Sequence, residues 1–212
     1  MEKFIDIIFS GLSTGAIYAL IALGFVLIFK STGILNFAHG ELCMVGAYVC
    51  YYFATLLNIP YLISFLIAIA LGALLGALID VLIFRRLVGE PIHATIMVTI
   101  GLASILVFFT GLFWGHDTYS IRSPFIGKTI TSGNMAFSLS SVSTIAVSII
   151  LFILFIVFFN RSILGVALKG TAEDSDTAGL MGINVKEMQM LAWSIGALVA
   201  SVAGIFLAEQ SF

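Results

Sequence analysis

Residues 42–79 decide the fold, because LCMVGAYVCYYFATLLNIPYLISFLIAIALGALLGALI contains no charged side chain. About 20 helical residues cross the ~30 Å hydrocarbon core of a membrane, so this stretch is too long for one helix. Asn58 and Pro60 interrupt it where a helical hairpin would need its turn. The stretch therefore predicts two neighbouring membrane helices.

The whole chain has the same apolar character. It is 61% hydrophobic and 9% charged, with a mean hydropathy of +1.19, whereas a soluble domain carries roughly 25% charged residues. The apolar runs are continuous and do not alternate, which favours helices over a membrane β-barrel. We therefore expect an all-α, polytopic membrane protein with about six spans: Ile7–Phe29, Leu42–Leu57, Tyr61–Ile79, Ala94–Trp114, Val142–Phe159 and Met190–Ala208.

Composition and charge also limit the organisation and the partners. Three prolines and no Pro- or Gly/Ser-rich tract leave no linker, so residues 1–212 are predicted to form a single membrane domain in contact with lipid. A net charge of -2 excludes nucleic acid as a partner. If the N-terminus is outside the cell, six Lys and Arg residues lie on the cytoplasmic side and three on the outer side. This orientation is favoured, because cytoplasmic connections carry an excess of basic residues. Residues 115–141 are then outside, and the charged connection 160–189 is cytoplasmic.

Small residues recur at four-residue spacing in several spans. The pairs are Gly11 and Gly15, Gly72 and Gly76, and Gly111 and Gly115, and one further set comprises Gly196, Ala200 and Gly204. Such spacing lets helix backbones approach closely in lipid. We expect most of these stripes to pack within the chain, with a subunit interface or a sliding surface as the alternative for one of them.

The segment 31–41 places polar residues between two apolar runs. It contains Asn36, His39, Gly40 and Glu41, and polar groups at membrane depth need a partner or a water-filled path. Two interpretations stay open here. The segment is either an ordinary cytoplasmic turn, or a broken or re-entrant helix that lines a translocation path.

The cytoplasmic connection predicts a short acidic helix from about Ala172 to Met181. Thr171 and Asp174 have capping-box spacing, and Gly182 is a candidate C-terminal cap. A helix of under three turns is marginal in water. We therefore expect it to dock, either on its own spans or on a separate cytoplasmic subunit.

Three stretches of the sequence carry a resemblance to one family. Gly15-Ala-Ile-Tyr-Ala-Leu-Ile-Ala-Leu-Gly24, the string Ile34-Leu-Asn-Phe-Ala-His-Gly-Glu41 with Gly46-Ala-Tyr48 after it, and Ala172 through Asn184 are similar to branched-chain amino acid ABC transporter permeases of the LivH type. The resemblance extends over nearly the whole chain. Members usually continue through about two further spans, so we expect either a fragment or a shortened variant.

The resemblance implies an importer of branched-chain or related amino acids in the bacterial plasma (inner) membrane. It implies an extracytoplasmic substrate-binding protein, a second permease subunit and two cytoplasmic ATPase subunits as partners. By motif match, Asn36, His39, Gly40 and Glu41 belong to a signature near the path. The residues that match an ATPase-contacting coupling loop are Ala172, Glu173, Asp174, Ala178, Gly182 and Ile183.

The sequence predicts no catalytic residue and no metal site. Gly127-Lys-Thr129 superficially resembles the end of a phosphate loop, but the required earlier glycine is replaced by Arg122. No zinc-site spacing of His and Cys occurs. We therefore expect no cofactor on this chain and ATP use by partner subunits.

Two other functional classes remain as alternatives to the importer. One is an ATP-independent channel or secondary transporter for a small polar solute, in which Asn36 and His39 would select the solute. The acidic cytoplasmic helix disfavours it, because such a protein needs no docking element. The other is an intramembrane enzyme that uses His39 and Glu41 as acid and base; it lacks a nucleophile or metal partner.

Overall fold

A computed structural model describes residues 2–87, 90–115, 117, 119–121, 123–125, 128–132 and 135–210, and these residues are mostly helical. The elements in chain order are α1 (Glu2–Thr32), α2 (His39–Tyr51) with a π-helical turn (Tyr52–Leu56), α3 (Tyr61–Leu82) with a 3-10 turn (Phe84–Arg86), α4 (Ile92–Trp114), β1 (Thr129–Ser132), β2 (Met135–Ser138), α5 (Leu139–Arg161), α6 (Ile163–Glu173), α7 (Ser175–Leu180) and α8 (Val185–Gln210).

The predicted all-α membrane fold is confirmed. In the described part of the chain, five helices are long and apolar enough to cross a membrane, namely α1, α3 with its 3-10 turn, α4, α5 and α8. The predicted short second span is α2, with 13 residues, continued by a five-residue π-helical turn. With α2 counted beside the five long helices, the structure has about six membrane helices, in agreement with the six predicted spans.

The predicted turn within residues 42–79 also forms. Asn58 has a φ of +52°, and Pro60 is the N-cap of α3. A proline at a helix start costs no backbone hydrogen bond, because the first N–H groups of a helix have no partner within it. Pro91 has the same position before α4.

A small β-hairpin interrupts the helices in the connection predicted to be outside. Strands β1 and β2 pair antiparallel, with Thr129 opposite Ser138 and Ser132 opposite Met135. The sequence did not predict this hairpin. Its strands have only four residues each, and the Ser, Thr and Gly content of the region indicated only a loop.

Helix α8 occupies the centre of the bundle. Two thirds of its membrane span is buried, against a third or less in the other four long helices, and it packs against α1, α2 and α3. Its neighbours approach through glycines: Gly46 of α2 and Gly72 of α3 both face Ser201, and Gly204 of α8 lies against the Cys43 carbonyl. A Cβ atom at any of these glycines would overlap its neighbour.

The small-residue stripes differ in what they contact. Gly72 and Gly76 pack on α8, and Gly196 packs on Ile28 of α1, so the predicted packing within the chain is confirmed for these stripes. A Cβ atom at Gly11 or Gly15 would meet nothing within 4 Å. The α1 pair therefore contributes no close helix contact in the described chain.

Six basic residues lie at one end of the bundle, because successive helices alternate in direction. They lie in the last turns of α1 and α5, in the 3-10 turn after α3, on α6 and at the start of α8: Lys30, Arg85, Arg86, Arg161, Lys169 and Lys186. We call this the basic end. It is the end predicted to be cytoplasmic.

The close contact at Gly204 predicts a large effect of one methyl group. We expect Gly204→Ala to lower the free energy of unfolding by about 1–3 kcal/mol, because the added carbon overlaps the backbone of α2. Gly15→Ala is the control, since it adds the same methyl group to a helix where nothing lies within 4 Å. Reversible unfolding in mixed detergent measures both. Equal stability of the two variants would contradict central packing of α8 on α2.

Candidate functional site

The chain between α1 and α2 is not helical from residue 33 to residue 38. Asn36 organises this break, because its side-chain Oδ1 accepts a hydrogen bond from the Ala38 N–H at 3.1 Å and its carbonyl accepts one from the His39 N–H at 3.2 Å. Such an Asx turn is a short-range substitute for helical hydrogen bonds. It sets the start of α2 at His39.

The break lies within the bundle and not at its edge. The Leu35 carbonyl accepts a hydrogen bond from the Thr99 hydroxyl at 3.3 Å, and Thr99 is seven residues into α4, about 10 Å from its start. The His39 ring lies against Gly24, which is eight residues, or about 12 Å, before the end of α1. Non-helical backbone at this depth is tolerated only where protein or a cavity surrounds it.

His39 is only 3% exposed and packs on α1. A Cβ atom at Gly24 would lie 3.0 Å from the His39 Nε2 and 2.9 Å from the Gly196 carbonyl of α8. The Phe25 ring meets the His39 ring edge-on at 6.0 Å between centroids. His39 therefore touches α1 next to the point where α1 contacts α8.

Several polar atoms of this segment are buried without a hydrogen-bond partner among the described residues. They are the Asn36 Nδ2 and the Glu41 Oε2. The His39 ring has a hydrogen bond with the Ile21 backbone through one nitrogen, so its other nitrogen is also unpaired. Burying such groups unpaired costs about 1–3 kcal/mol each in proteins. A buried donor or acceptor without a partner is a candidate contact for a polar solute.

The structure brings Asn36 and His39 together but separates them from Gly40. Gly40 is exposed, and a Cβ atom there would meet nothing within 4 Å. Glu41 is half-buried on the first turn of α2. The broken-helix interpretation of segment 31–41 therefore fits the backbone, while the path role of its four side chains stays a prediction. Thr99 and Gly24, which shape the break, were not predicted.

The second candidate region is the connection between α5 and α8. The predicted single helix from Ala172 to Met181 is wrong, because α6 ends at Glu173 and α7 begins at Ser175. The predicted cap at Thr171 is also wrong. Thr171 is buried within α6, where its hydroxyl donates to the Leu168 carbonyl at 3.0 Å.

Asp174 is the actual N-cap of α7. It has extended backbone angles, and its carboxylate accepts hydrogen bonds from the Asp176 and Thr177 N–H groups, both at 3.0 Å. The Thr177 hydroxyl donates to the other carboxylate oxygen. The hydrogen bonds from the Thr177 hydroxyl and N–H hold the pKa of Asp174 below its ordinary value.

Gly182 ends α7, as the sequence predicted. It has a φ of +88°, and the hydrogen bonds from Gly182 N–H to the Gly179 carbonyl and from Ile183 N–H to the Ala178 carbonyl form a Schellman motif. Ala178 is buried and Ile183 packs beside Leu168. Both therefore hold the loop in place and do not face solvent.

The exposed face of α7 is apolar at its end. Leu180 and Met181 are 89% and 81% exposed, and Glu173 and Asp174 are also exposed. Ala172 instead lies half-buried on α6. Leu180 and Met181 were not predicted as site residues, although two large apolar residues before a capping glycine in a charged loop indicate a surface that a partner could cover.

The loop faces the end of α3 across a cavity. A cavity of about 550 Å³ lies between α7, the start of α8 and Arg85. The Arg85 Nη2 is 3.7 Å from the Oδ2 of Asp80, which is 1% exposed on α3. The buried carboxylate of Asp80 therefore faces the guanidinium group of Arg85.

The fold and these two regions define a class of protein. In the described residues, no group of three or more His, Cys, Asp and Glu side chains could hold a metal ion. A helical membrane bundle with a helix broken at membrane depth is an architecture that transport proteins use.

Comparison with known proteins identifies the family. The chain belongs to the family described as "Branched-chain amino acid transport system / permease component", which matches residues 7–211. It is therefore a multi-pass inner-membrane permease component and not an enzyme.

Individual relatives agree with this family. The high-affinity branched-chain amino acid transport system permease protein LivH of Escherichia coli K12 is 30% identical over 97% of this chain and 71% of its own length. LivH of Salmonella typhimurium gives the same figures. BraD of Pseudomonas aeruginosa is 29% identical over 95% of this chain and 69% of its own length. No solved structure matches the chain.

The Asp174 cap predicts a pH dependence of α7. Because the pKa of Asp174 is lowered on folding, its stabilising effect is present at neutral pH and is lost as the pH falls through that lowered pKa, below the ordinary 3.8. We expect the amides of Asp176 and Thr177 to lose protection from hydrogen exchange over that range. Asp174→Asn is the control, since asparagine caps a helix without titrating. The same pH profile in this variant would exclude Asp174 as the cause.

Proposed function

We propose that the chain forms part of the translocation path of an ATP-driven importer of branched-chain amino acids. A permease component of such a system works with ATPase and substrate-binding subunits. In this proposal the partners are two cytoplasmic ATPase subunits, a second permease subunit and an extracytoplasmic binding protein. ATP is used by the ATPase subunits, since the chain carries no phosphate-binding motif.

The observation that carries the proposal is the exposed apolar end of α7. Leu180 and Met181 project from a helix of six residues that is capped at both ends, so their position is well defined. Large apolar side chains outside the membrane spans gain stability by being covered, about 1.5–3 kcal/mol for a leucine. An ATPase subunit docked on this end of α7 would cover them.

The contacts of the loop supply a route for motion from α7 into the bundle. Ile183 and Val185 connect α7 directly to α8, and Val185 touches Gly179. Eleven residues along α8, about 16 Å, the Gly196 carbonyl lies beside Gly24 and His39. A shift of α8 under an ATPase would therefore reach the break between α1 and α2, as alternating access requires.

The break is the proposed solute-contacting part of the path. Asn36 and His39 offer donors and acceptors at membrane depth, where a solute's ammonium or carboxylate group would need them. Glu41 and Gly40 complete this proposed region at the start of α2. Its place about 10–12 Å from the helix ends suits a site that opens to either side in turn.

Docking of an ATPase subunit on α7 predicts that two equally exposed residues differ in their effect on ATPase binding. We expect Leu180→Ser to reduce co-purification of the ATPase subunits about tenfold or more, because it removes a buried leucine from the interface. Ile163→Ser is the matched control, since Ile163 is also 89% exposed but lies at the start of α6. Quantitative mass spectrometry of the tagged chain, purified in mild detergent, measures both. Equal loss in both variants would remove α7 as the docking element.

The proposed contact between the solute and His39 predicts that replacing this residue lowers uptake. We expect His39→Gln to lower ATP-dependent uptake of labelled leucine, isoleucine or valine about tenfold, the equivalent of one lost hydrogen bond, with unchanged membrane insertion and ATPase binding. His93→Gln controls for loss of an imidazole, because His93 is exposed at the start of α4. Wild-type uptake in the His39 variant would favour the simple-turn interpretation. Wild-type uptake after ATP depletion would instead indicate a channel or secondary transporter.

A further inference from the structure

A groove on the outside of the bundle has features that the transport function does not use. It has a volume of about 510 Å³ and is bounded by α1, α5 and α6. Its walls are apolar, with Phe155 and Phe159 on one side and Ala19 and Ala22 at the far end from the cytoplasmic connection. It opens on the surface that a membrane protein presents to lipid.

The length of the groove corresponds to one leaflet of a bilayer. Along α1 it extends from Ala19 to Lys30, eleven residues or about 16 Å. Half of a ~30 Å hydrocarbon core is about the same length. An acyl chain entering from the basic end would therefore run the length of the groove and stop near the bilayer midplane.

The mouth of the groove is positively charged. Lys30 and Lys169 are the charged residues that line it within the described chain, and both are basic. The Lys169 ammonium donates to the Asn160 Oδ1 at 2.7 Å, which positions it and leaves further donors free. Both lysines lie at the basic end, at the level of the lipid headgroups.

Ser31 supplies a second, independent observation at the same mouth. It is 4% exposed and lines the groove, and its hydroxyl has no hydrogen-bond partner among the described residues. A buried hydroxyl is normally paired. A phosphate or ester oxygen between the two lysines would pair it.

We propose that this groove binds one anionic phospholipid of the leaflet at the basic end. An acyl chain lies along Phe155 and Phe159, and the phosphate lies between Lys30 and Lys169 and accepts from the Ser31 hydroxyl. Charge complementarity selects the occupant, because a zwitterionic lipid would bring its own cation to a mouth that already holds two. The lipid then contacts α6, which leads directly into the α7 loop.

Native mass spectrometry of the purified full chain, with the subunits that accompany it, tests this proposal. The probes are phosphatidylglycerol and phosphatidylcholine with identical acyl chains. We expect the wild-type chain to retain phosphatidylglycerol about tenfold more strongly, and Lys30→Gln with Lys169→Gln to abolish that preference. Lys128→Gln with Lys186→Gln removes the same charge outside the groove and should leave the preference unchanged.

A second variant tests the acyl-chain part of the groove. Ala22→Trp fills the far end and should release the bound lipid without changing the charge at the mouth. Equal retention of both lipids by the wild-type chain would overturn the proposal, as would an unchanged preference in the double lysine variant. If Ala22→Trp separates two copies of the chain and leaves lipid retention unchanged, the groove is a protein contact and the proposal is overturned. Unfolding temperatures equal to that of the wild-type chain establish that all variants are folded.

Discussion

The close approach of α2 and α3 to α8 is the contact on which the rest of the structure depends. In lipid there is little hydrophobic drive to bring apolar helices together, so they associate through shape and dispersion forces. Gly46 and Gly72 let both neighbours reach Ser201, and Gly204 lets α8 reach the backbone of α2 at Cys43. With α8 held in this way, α1 closes over it through Gly24 and Gly196. Larger side chains at these positions would move the helices apart and open the core.

The same packing makes a break in helix structure possible at membrane depth. At residues 33–38 the ladder of helical hydrogen bonds keeps the Gly33 N–H and the Ala38 carbonyl but is interrupted between them, and lipid offers no replacement. The Asn36 side chain and the Thr99 hydroxyl provide some of the missing hydrogen bonds. The surrounding helices exclude lipid from the rest. A polar segment is thereby held among apolar helices, which is the condition for a solute path that does not leak.

Communication between the cytoplasmic loop and the break follows from α8 being continuous. The Schellman motif at Gly182 fixes the angle between α7 and α8, and α8 then runs without interruption past Gly24 and His39. The Asp80–Arg85 pair brings the end of α3 to the same loop. In the proposed mechanism, a shift of α7 would move α8 directly, and the groove proposed to bind lipid beside α6 adjoins the same loop.

The features that depend on local chemistry were predictable from the order of the residues. Length and hydropathy gave the spans, Asn58 and Pro60 gave the turn between α2 and α3, and Gly182 gave the end of α7, because each rests on the residue's own backbone preference or solvation. The packing of the folded chain decided that Gly72 contacts α8 while a Cβ atom at Gly15 would meet nothing within 4 Å, and that His39 lies about 12 Å deep against Gly24. It also decided that Asp174 separates α6 from α7 where one helix was predicted. These features depend on which residues, distant in sequence, pack against each other in the folded chain. The spacing of residues along one helix does not indicate which other helix it will pack against.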